Sequence, residues 1–144
     1  MDTKTLIQLA LAARQKAYAH YSGFKVGAAL LTENGTAFDG CNIENAAYSC
    51  TNCAERTAFF KAVSEGVTKF TAIAIVGGSG EIPNKPCSPC GVCRQVMLEF
   101  CDYDEFDVIM AVNTDEYEIV KLKDLMPYSF SPRDLYNAIK KSSS

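Results

Sequence analysis

The stretch TAIAIVGGSGEIPNKPCSPCGVCRQ, residues 71–95, predicts a strand, a loop and the beginning of a helix in direct succession. Residues 71–76 are a short apolar run of strand length, which is typical of a strand buried on both faces of a sheet. The glycine- and proline-rich residues 77–86 predict a loop. A helix is expected over 90–101, with Val92, Val96 and Phe100 facing inward. A buried strand followed by a helix indicates an α/β domain.

The rest of the chain continues this alternation of strands and helices. Helices are expected at about 5–19, from about 53 to Gly66 and over 133–141, and strands at 26–32, 36–41, 107–112 and 117–122. An Asn-Gly turn joins the first two strands, and Ser131-Pro132 is a helix-start signal. The resulting order predicts one domain over residues 1–144 with an α/β fold, a three-layer α-β-α sandwich around a five-stranded mixed sheet.

Composition and charge narrow the classes of function. The 144 residues include 14 basic and 17 acidic ones without a basic stripe, which disfavours a nucleic-acid partner. No apolar run approaches the roughly 18 residues that a membrane span needs, so no membrane partner is expected. The first ten residues, MDTKTLIQLA, lack the pattern of a signal peptide, and we therefore expect a cytoplasmic protein.

The seven cysteines are the most informative residues, because the chain has a single histidine, His20. In a reducing compartment an odd number of cysteines indicates metal ligands or buried thiols rather than disulfides. Cys90 and Cys93 lie three residues apart on one face of the predicted helix. Cys87 is separated from them by Pro89, because a residue before proline avoids helical dihedral angles. Cys90 and Cys93 are therefore the better ligand pair.

A third sulfur and an acid are predicted at the start of another helix. Cys53 begins that helix and Glu55 lies in its first turn. Three thiolates leave the fourth position of a tetrahedral zinc ion open to water, which is typical of a catalytic site. Arg56 and the two helix N-termini are placed to offset the negative charge of three thiolates.

A closed structural site is the alternative reading of the same cysteines. Cys50, Cys53, Cys90 and Cys93 form two Cys-x-x-Cys pairs, as in zinc ribbons. The pairs are separated by 36 residues, however, which exceeds the usual spacing of about 15–20. Cys41, Cys87 and Cys101, and also Cys50, are expected to be small buried or loop thiols.

Five segments resemble the small, homotetrameric cytidine deaminases, and they follow the order of that family over almost the whole chain. Two carry the predicted ligands, Cys53-Ala54-Glu55-Arg56 and Pro89-Cys90-Gly91-Val92-Cys93-Arg94-Gln95. The other three are YSGFKVGAA at 21–29, GCNIENAAY at 40–48 and LMPYSF at 125–130. The resemblance implies a cytidine deaminase-like fold and one zinc ion per subunit.

The resemblance also implies roles for the residues around the metal. Three cysteines would bind the zinc ion: Cys53, Cys90 and Cys93. Glu55 would move protons between water, N3 of the cytosine ring and the departing amine. The Ala54 backbone and the Glu55 carboxyl would read the edge of the base. Arg56 would donate hydrogen bonds to the ligand sulfurs and reduce their negative charge.

Five further positions match residues that contact the nucleoside in the family. Phe24 would pack against the pyrimidine, while Asn42 and Glu44 would hold the ribose hydroxyls. Tyr48 and Phe130 match aromatic residues that reach into the sites of neighbouring subunits. The resemblance therefore implies a homotetramer whose sites are shared between subunits.

The implied reaction is the zinc-dependent hydrolytic deamination of cytidine and 2′-deoxycytidine to uridine and 2′-deoxyuridine plus ammonia, in pyrimidine salvage. Three alternatives stay open at this point. A related enzyme could act on a nucleoside-like antibiotic of the blasticidin type. A non-catalytic, zinc-stabilised binding module would keep the metal without the reaction. A nucleic-acid editor is the third, although the charge balance disfavours it.

Overall fold

Five strands form one mixed sheet in a computed structural model that describes residues 1–136. The strands are β1 (Lys25–Thr32), β2 (Ala37–Cys41), β3 (Phe70–Gly78), β4 (Asp107–Ala111) and β5 (Tyr117–Lys121). They lie in the order β2-β1-β3-β4-β5. Only β3 and β4 are parallel, and the other neighbouring pairs are antiparallel. The predicted five-stranded mixed sheet is confirmed.

Helices cover both faces of this sheet, as the sandwich prediction requires. They include α1 (Thr3–Arg14), α2 (Ala54–Ser64), α3 (Gly91–Phe100) and the short α4 (Leu122–Leu125), and a 3-10 turn covers Tyr48–Cys50. The core on one face contains α2 and α3 side chains such as Phe59 and Met97, packed against Ile73 and Ile75 of β3. The other face buries Ala74 and Val76 under α1. Residues of β3 therefore enter both cores, which explains the uninterrupted apolar run.

The strand directions bring the N-termini of α2 and α3 to one edge of the sheet. Strands β2 and β3 both run antiparallel to β1, so they point the same way and end at the same edge. Helices α2 and α3 are the next regular helices after β2 and β3, respectively. Strand β1 begins at this edge, because its Lys25 pairs with Gly78 at the end of β3.

The boundaries of α1 differ from those predicted from the apolar spacing. The helix begins earlier because Asp2 caps it, its carboxylate accepting the Thr5 amide at 2.8 Å. It ends at Arg14 rather than near residue 19. The backbone of Tyr18 pairs instead with the segment after β2, donating to the Asn42 carbonyl at 2.9 Å and accepting from the Glu44 amide at 2.8 Å. Tertiary backbone pairing ends a helix that the sequence pattern would have continued.

The inward face predicted for α3 was wrong for Val92, which is 57% exposed. The helix begins at Gly91 and turns Cys93, Met97 and Leu98 inward instead. Val96 and Phe100 are only partly buried, packed against the edge of that core. The orientation that buries Cys93 beside α2 turns Val92 toward the surface.

The chain beyond β4 follows the prediction except at the end of the last strand. The last predicted strand ends at Lys121, and Leu122 begins α4 with its side chain fully buried. Residues 132–136 are helical, so that the helix starts at Pro132 as predicted. The remainder of that predicted helix and the tail, residues 137–144, lie outside the described residues. Within residues 1–136, no helix is long and apolar enough to cross a membrane.

Two glycines allow helices to pack directly on the sheet, one on each face. A Cβ at Gly27 would lie 2.0 Å from the Ala10 carbonyl oxygen in α1. A Cβ at Gly40 would lie 2.5 Å from the Ala54 carbonyl oxygen in α2. Gly40 therefore sets how closely the first turn of α2, which carries Glu55, approaches β2.

Substitution of either glycine by alanine is expected to lower the free energy of unfolding by about 1–3 kcal/mol or more, the usual cost of overpacking. Gly91→Ala is the matched control, since nothing lies within 4 Å of its Cβ position and its φ is not in the left-handed region. Because alanine is the better helix former, Gly91→Ala should cause no loss. Urea denaturation of the metal-free proteins measures these differences. Equal stability of Gly27→Ala and the unsubstituted chain would contradict the close packing.

Candidate active site

Three of the predicted cysteines meet where α2 and α3 begin. Cys53 is the N-cap of α2, Cys90 is the N-cap of α3, and Cys93 lies in the first turn of α3. The Cys90 sulfur lies 3.6 Å from that of Cys53 and 3.3 Å from that of Cys93. All three sulfurs lie within 4.8 Å of one another. Among residues 1–136 this is the one cluster of potential ligands that could hold a metal ion.

The cluster fits zinc in its donor chemistry and its spacing. Thiolates are preferred zinc ligands, and sulfurs on a tetrahedral zinc ion with bonds of about 2.3 Å lie about 3.8 Å apart. The two N-terminal helix ends direct their partial positive charge at the sulfurs, which favours thiolates. Three cysteines without a fourth protein ligand match an open site rather than a closed one.

The remaining cysteines lie outside the cluster. Cys50 is exposed in the 3-10 turn, so the closed four-cysteine arrangement is not formed in the part of the chain that the structure describes. Cys87 packs over Gly77, whose Cβ position is 2.9 Å from the Cys87 sulfur. Burial raises the pKa of Cys87 to about 11, and burial also raises the pKa of Cys41 and of Cys101. These thiols are protonated at neutral pH, as expected of packing residues.

Glu55 lies beside the sulfurs with only 4% of its surface exposed. Burial, aided by the negative charge on Cys53, raises the pKa of this carboxyl to about 7. The Cys93 thiol is a nearby hydrogen-bond donor whose effect is smaller and opposite. A carboxyl that titrates near neutral pH can both accept and donate a proton, which is what a general acid–base group must do.

Without a metal, the thiols of Cys53 and Cys93 differ in pKa. Hydrogen bonding from Cys93, aided by Arg56, lowers the pKa of Cys53 to about 5. The pKa of Cys93 is raised, mainly because it donates to the Cys53 sulfur and also because it is buried. Cys53 therefore ionises first and Cys93 holds the proton, so binding of a metal to all three sulfurs releases protons.

Arg56 links the helix to the ligand sulfurs. Its Nη2 donates to the Cys53 sulfur at 3.4 Å, and this hydrogen bond, with a further one to Cys93, raises the pKa of Arg56. Its Nε is buried and has no hydrogen-bond partner within residues 1–136. The guanidinium therefore places one positive charge directly against the sulfur cluster.

Arg56→Gln is expected to lower zinc affinity by about 10- to 100-fold, the usual cost of losing a group that hydrogen-bonds a metal ligand. Lys61→Gln is the control on the same helix, since Lys61 is exposed and contacts Asp39 at 3.0 Å rather than the sulfurs. Competition with a chromogenic chelator measures both affinities. An Arg56→Gln affinity equal to that of Lys61→Gln would contradict a charge-compensating role.

Three of the residues predicted to contact a nucleoside lie at the same edge of the sheet: Phe24, Asn42 and Glu44. The Phe24 side chain is 38% exposed just before β1. The buried Asn42 side chain donates to the Phe24 carbonyl at 2.8 Å and accepts from the Val26 amide at 2.9 Å. Asn42 therefore holds the backbone on both sides of Lys25. Its predicted contact with ribose stays a prediction.

Glu44 also accepts hydrogen bonds from nearby protein groups. Its carboxylate accepts hydrogen bonds from the Tyr21 amide at 2.9 Å, the Ser22 amide at 3.0 Å and the Ser22 hydroxyl. These contacts lower the pKa of Glu44, so the carboxylate is ionised at neutral pH. Ser22 was not singled out in the sequence, although it stands in the YSGFKVGAA segment.

A surface cavity of about 340 Å³ lies beside this segment. It is lined by Tyr21, Ser22, Glu44, Tyr48 and Thr51. Ala54, at the start of α2, is fully buried, whereas the aromatic Tyr48 and Phe130 are 78% and 61% exposed. A larger cavity of about 550 Å³ lies between the end of α3 and residues 128–134, and no predicted site residue lines it.

Comparisons with known proteins agree with this geometry. The family model described as the cytidine and deoxycytidylate deaminase zinc-binding region matches residues 1–109. A cytidine deaminase of Sporosarcina psychrophila is 51% identical, with 94% of this chain and 96% of the relative covered. One of Halalkalibacterium halodurans is 47% identical, with 94% and 98% covered.

Solved structures give the same result. The crystal structure of cytidine deaminase from Burkholderia pseudomallei is 47% identical with a TM-score of 0.81, covering 90% of this chain and 100% of that one. The cytidine deaminase structure from Mycobacterium tuberculosis is 37% identical with a TM-score of 0.76, covering 91% and 98%. This chain therefore belongs to the cytidine and deoxycytidylate deaminase family, because the family model matches residues 1–109 and two relatives that cover 94% of the chain are 51% and 47% identical to it.

Proposed function

We propose that this protein catalyses the hydrolytic deamination of cytidine and 2′-deoxycytidine to uridine and 2′-deoxyuridine, with release of ammonia. The observation that carries the proposal is the buried Glu55 carboxyl, with a pKa raised to about 7, beside three cysteine sulfurs that suit one zinc ion. The names of the relatives, which are cytidine deaminases, support the choice of substrate. We assign one zinc ion to each subunit, held by Cys53, Cys90 and Cys93.

The chemistry divides between the metal and the protein. A zinc ion at this site supplies Lewis acidity that lowers the pKa of water toward about 7 and so provides a nucleophile at neutral pH. Glu55 accepts a proton from the attacking water and donates it to N3 of the cytosine ring. As the bond between C4 and the amine breaks, Glu55 carries the second water proton to the departing nitrogen. One water is consumed and one ammonia leaves, so atoms and charge balance.

Residues around Glu55 hold the reactants in place. The Ala54 backbone and the carboxyl of Glu55 are proposed to read the edge of the base. The ring of Phe24 provides an apolar surface for the pyrimidine, and its backbone is held by Asn42. Asn42 and Glu44 are proposed to contact the ribose. If that contact involves only the 3′-hydroxyl, cytidine and 2′-deoxycytidine are both substrates.

The alternatives receive less support. A zinc-stabilised binding module has no use for an acid buried beside the metal ligands, because burying a carboxyl is costly. A nucleic-acid editor would be expected to carry excess positive charge, whereas the net charge of this chain is −3. An enzyme for a nucleoside-like antibiotic shares the site chemistry, and only substrate comparison separates it from a cytidine deaminase.

An ultraviolet assay of purified, zinc-loaded protein tests the proposal directly. Cytidine, 2′-deoxycytidine, cytosine, CMP and a blasticidin-type nucleoside are compared at equal concentration. We expect the absorbance of cytidine and of 2′-deoxycytidine to fall, with one ammonia released per nucleoside. No loss of cytidine absorbance at saturating zinc would refute the function, and reaction of the antibiotic alone would replace it with the alternative.

We also propose a homotetramer in which Tyr48 and Phe130 complete the site of a neighbouring subunit. Their exposure in the single chain supports this arrangement. Mixing Glu55→Gln and Phe130→Ala proteins under conditions of subunit exchange should restore activity, since some sites would then contain neither change. A sedimentation mass of one chain, or no recovery despite exchange, would contradict shared sites.

A cytoplasmic role in pyrimidine salvage completes the proposal. All seven cysteines are free, and a reducing compartment keeps such thiols available for zinc. Deamination returns cytosine nucleosides to the uracil series, which is the chemistry that salvage requires. Fractionation of cells that produce the tagged protein would test the location.

A further inference from the structure

Arg14 is buried without a carboxylate partner, and the proposed mechanism does not use it. This last residue of α1 is only 1% exposed, the largest side chain to be fully buried within residues 1–136. None of the ion pairs in the described part of the chain includes it. Charged side chains are rarely buried in this way unless their donors are satisfied. The partners of the guanidinium therefore indicate what it does.

Those partners are backbone carbonyls from two separate segments. Nε donates to the Lys25 carbonyl at 3.0 Å, at the start of β1. Nη1 donates to the Glu81 carbonyl at 2.8 Å, and Nη2 donates to the carbonyls of Gly78, at 2.8 Å, and Gly80. Hydrogen bonds from an ionised donor are stronger than neutral ones. One guanidinium thus ties the chain that leaves β3 to the first residue of β1.

The segment that leaves β3 leads directly to the metal ligands. Residues 79–90 contain no helix or strand and end at Cys90, the N-cap of α3. Further contacts hold the loop along its length, since Cys87 packs on Gly77 and Arg94 donates to the Pro89 carbonyl at 2.9 Å. An arginine therefore holds each end of the loop. Because the loop lacks ladder hydrogen bonds of its own, these contacts determine where Cys90 lies relative to Cys53.

The other segment supports the proposed base platform. Lys25 directly follows Phe24, and Asn42 holds the backbone of Phe24 and Val26 from the opposite direction. A lysine at position 14 could not replace the arginine, because a single ammonium cannot present donors in the fixed fork that reaches carbonyls on two segments. The same guanidinium is thus part of the support of both the metal ligands and the aromatic ring.

We propose that Arg14 is a positioning residue that holds the loop between β3 and α3 against the start of β1 and thereby sets the geometry of the three-cysteine site. None of its hydrogen bonds reaches a metal ligand or a residue proposed to contact the substrate. Its effect on Phe24 rests on the proposed function, whereas its effect on Cys90 rests only on zinc binding.

The test compares Arg14→Lys and Arg14→Gln with Leu6→Ala and Ile7→Val. The two control positions are buried in the core of the same helix face and have no polar group that could hold the loop. Zinc release to a chelator and cleavage after the exposed Glu81 by a glutamate-specific protease are measured well below the melting temperature. Variants whose melting temperatures fall by the same amount are compared. The Arg14 variants are expected to release zinc, and to be cleaved, about tenfold faster than the controls. Arg14→Lys should not restore the slow rate of either process.

Zinc release and cleavage rates that follow melting temperature alone, with no difference between the two groups, would overturn the proposal. These readouts need no catalytic activity, so they stand even if the proposed reaction is refuted. In the active enzyme, Arg14→Lys should raise KM as well as lower kcat, because Phe24 loses its support. If neither Arg14 variant folds, protease cleavage of the unsubstituted protein tests whether the loop is held. Its cleavage at Glu81 should be as slow as global unfolding, and rapid cleavage of the folded, zinc-loaded protein would contradict a held loop.

Discussion

Glu55→Gln is expected to lower the turnover of cytidine by about 10²- to 10⁴-fold while leaving zinc bound, because general acid–base catalysis contributes a factor of that size. Glutamine keeps the shape of the side chain but can neither accept nor donate the proton that the reaction transfers. The carboxyl is also buried, so no solvent acid takes its place easily. Steady-state kinetics and metal analysis of the same preparation measure the two properties.

A control variant on the same helix separates an effect on catalysis from effects on folding and on metal binding. Glu65→Gln, at the other end of α2, provides the matched control, since Glu65 is exposed and follows the last residue of the helix. It should retain both zinc and activity. A Glu55→Gln enzyme with turnover within a few-fold of the unsubstituted protein would remove Glu55 from the mechanism. Loss of zinc in that variant would instead show that the carboxyl supports the metal site.

Replacing Cys53, Cys90 or Cys93 by serine is expected to remove zinc and activity together. A hydroxyl is a much poorer zinc ligand than a thiolate, so the affinity should fall by more than the roughly 10- to 100-fold that the loss of an outer contact costs. Zinc per chain is measured by elemental analysis after gel filtration. The binding of zinc is also expected to release protons, because Cys93 is protonated in the metal-free site.

Cys50→Ser and Cys87→Ser are the matched controls for the ligand variants. Cys50 is exposed outside the cluster, and Cys87 is a packed thiol with a pKa raised to about 11. Both variants should retain one zinc ion per chain. A metal-free Cys50→Ser protein would restore the closed, four-cysteine site, and a metal-free Cys87→Ser protein would add that thiol to the ligands.

Much of the fold was predictable because local patterns agree with the tertiary structure. The uninterrupted apolar run at 71–76 belongs to a strand that enters both cores, and the Gly66 position after α2 has the left-handed φ of 88° typical of a helix end. Pro89 separates Cys87 from the helix that Cys90 caps. Each of these features depends on a few neighbouring residues, so it can be predicted from the sequence alone.

Other features could not be read from neighbouring residues. The end of α1 depends on backbone pairing between Tyr18 and the segment after β2, a contact with residues more than twenty positions away. The exposure of Val92 depends on which face of α3 meets α2. Arg14 lies in the otherwise apolar stripe of α1. That position is the one feature of the sequence that indicates a buried arginine.

The sequence by itself determined the order of strands and helices, the residue types of the site and the helix starts that carry them, since helix caps and apolar runs act over a few residues. The tertiary structure alone decided that these parts meet. Cys53 joins Cys90 because β2 and β3 run in the same direction and end at one edge of the sheet. The pKa of Glu55 rises to about 7 because packing removes water from its carboxyl. Strand direction and burial are properties of distant segments brought together, and therefore of the folded chain.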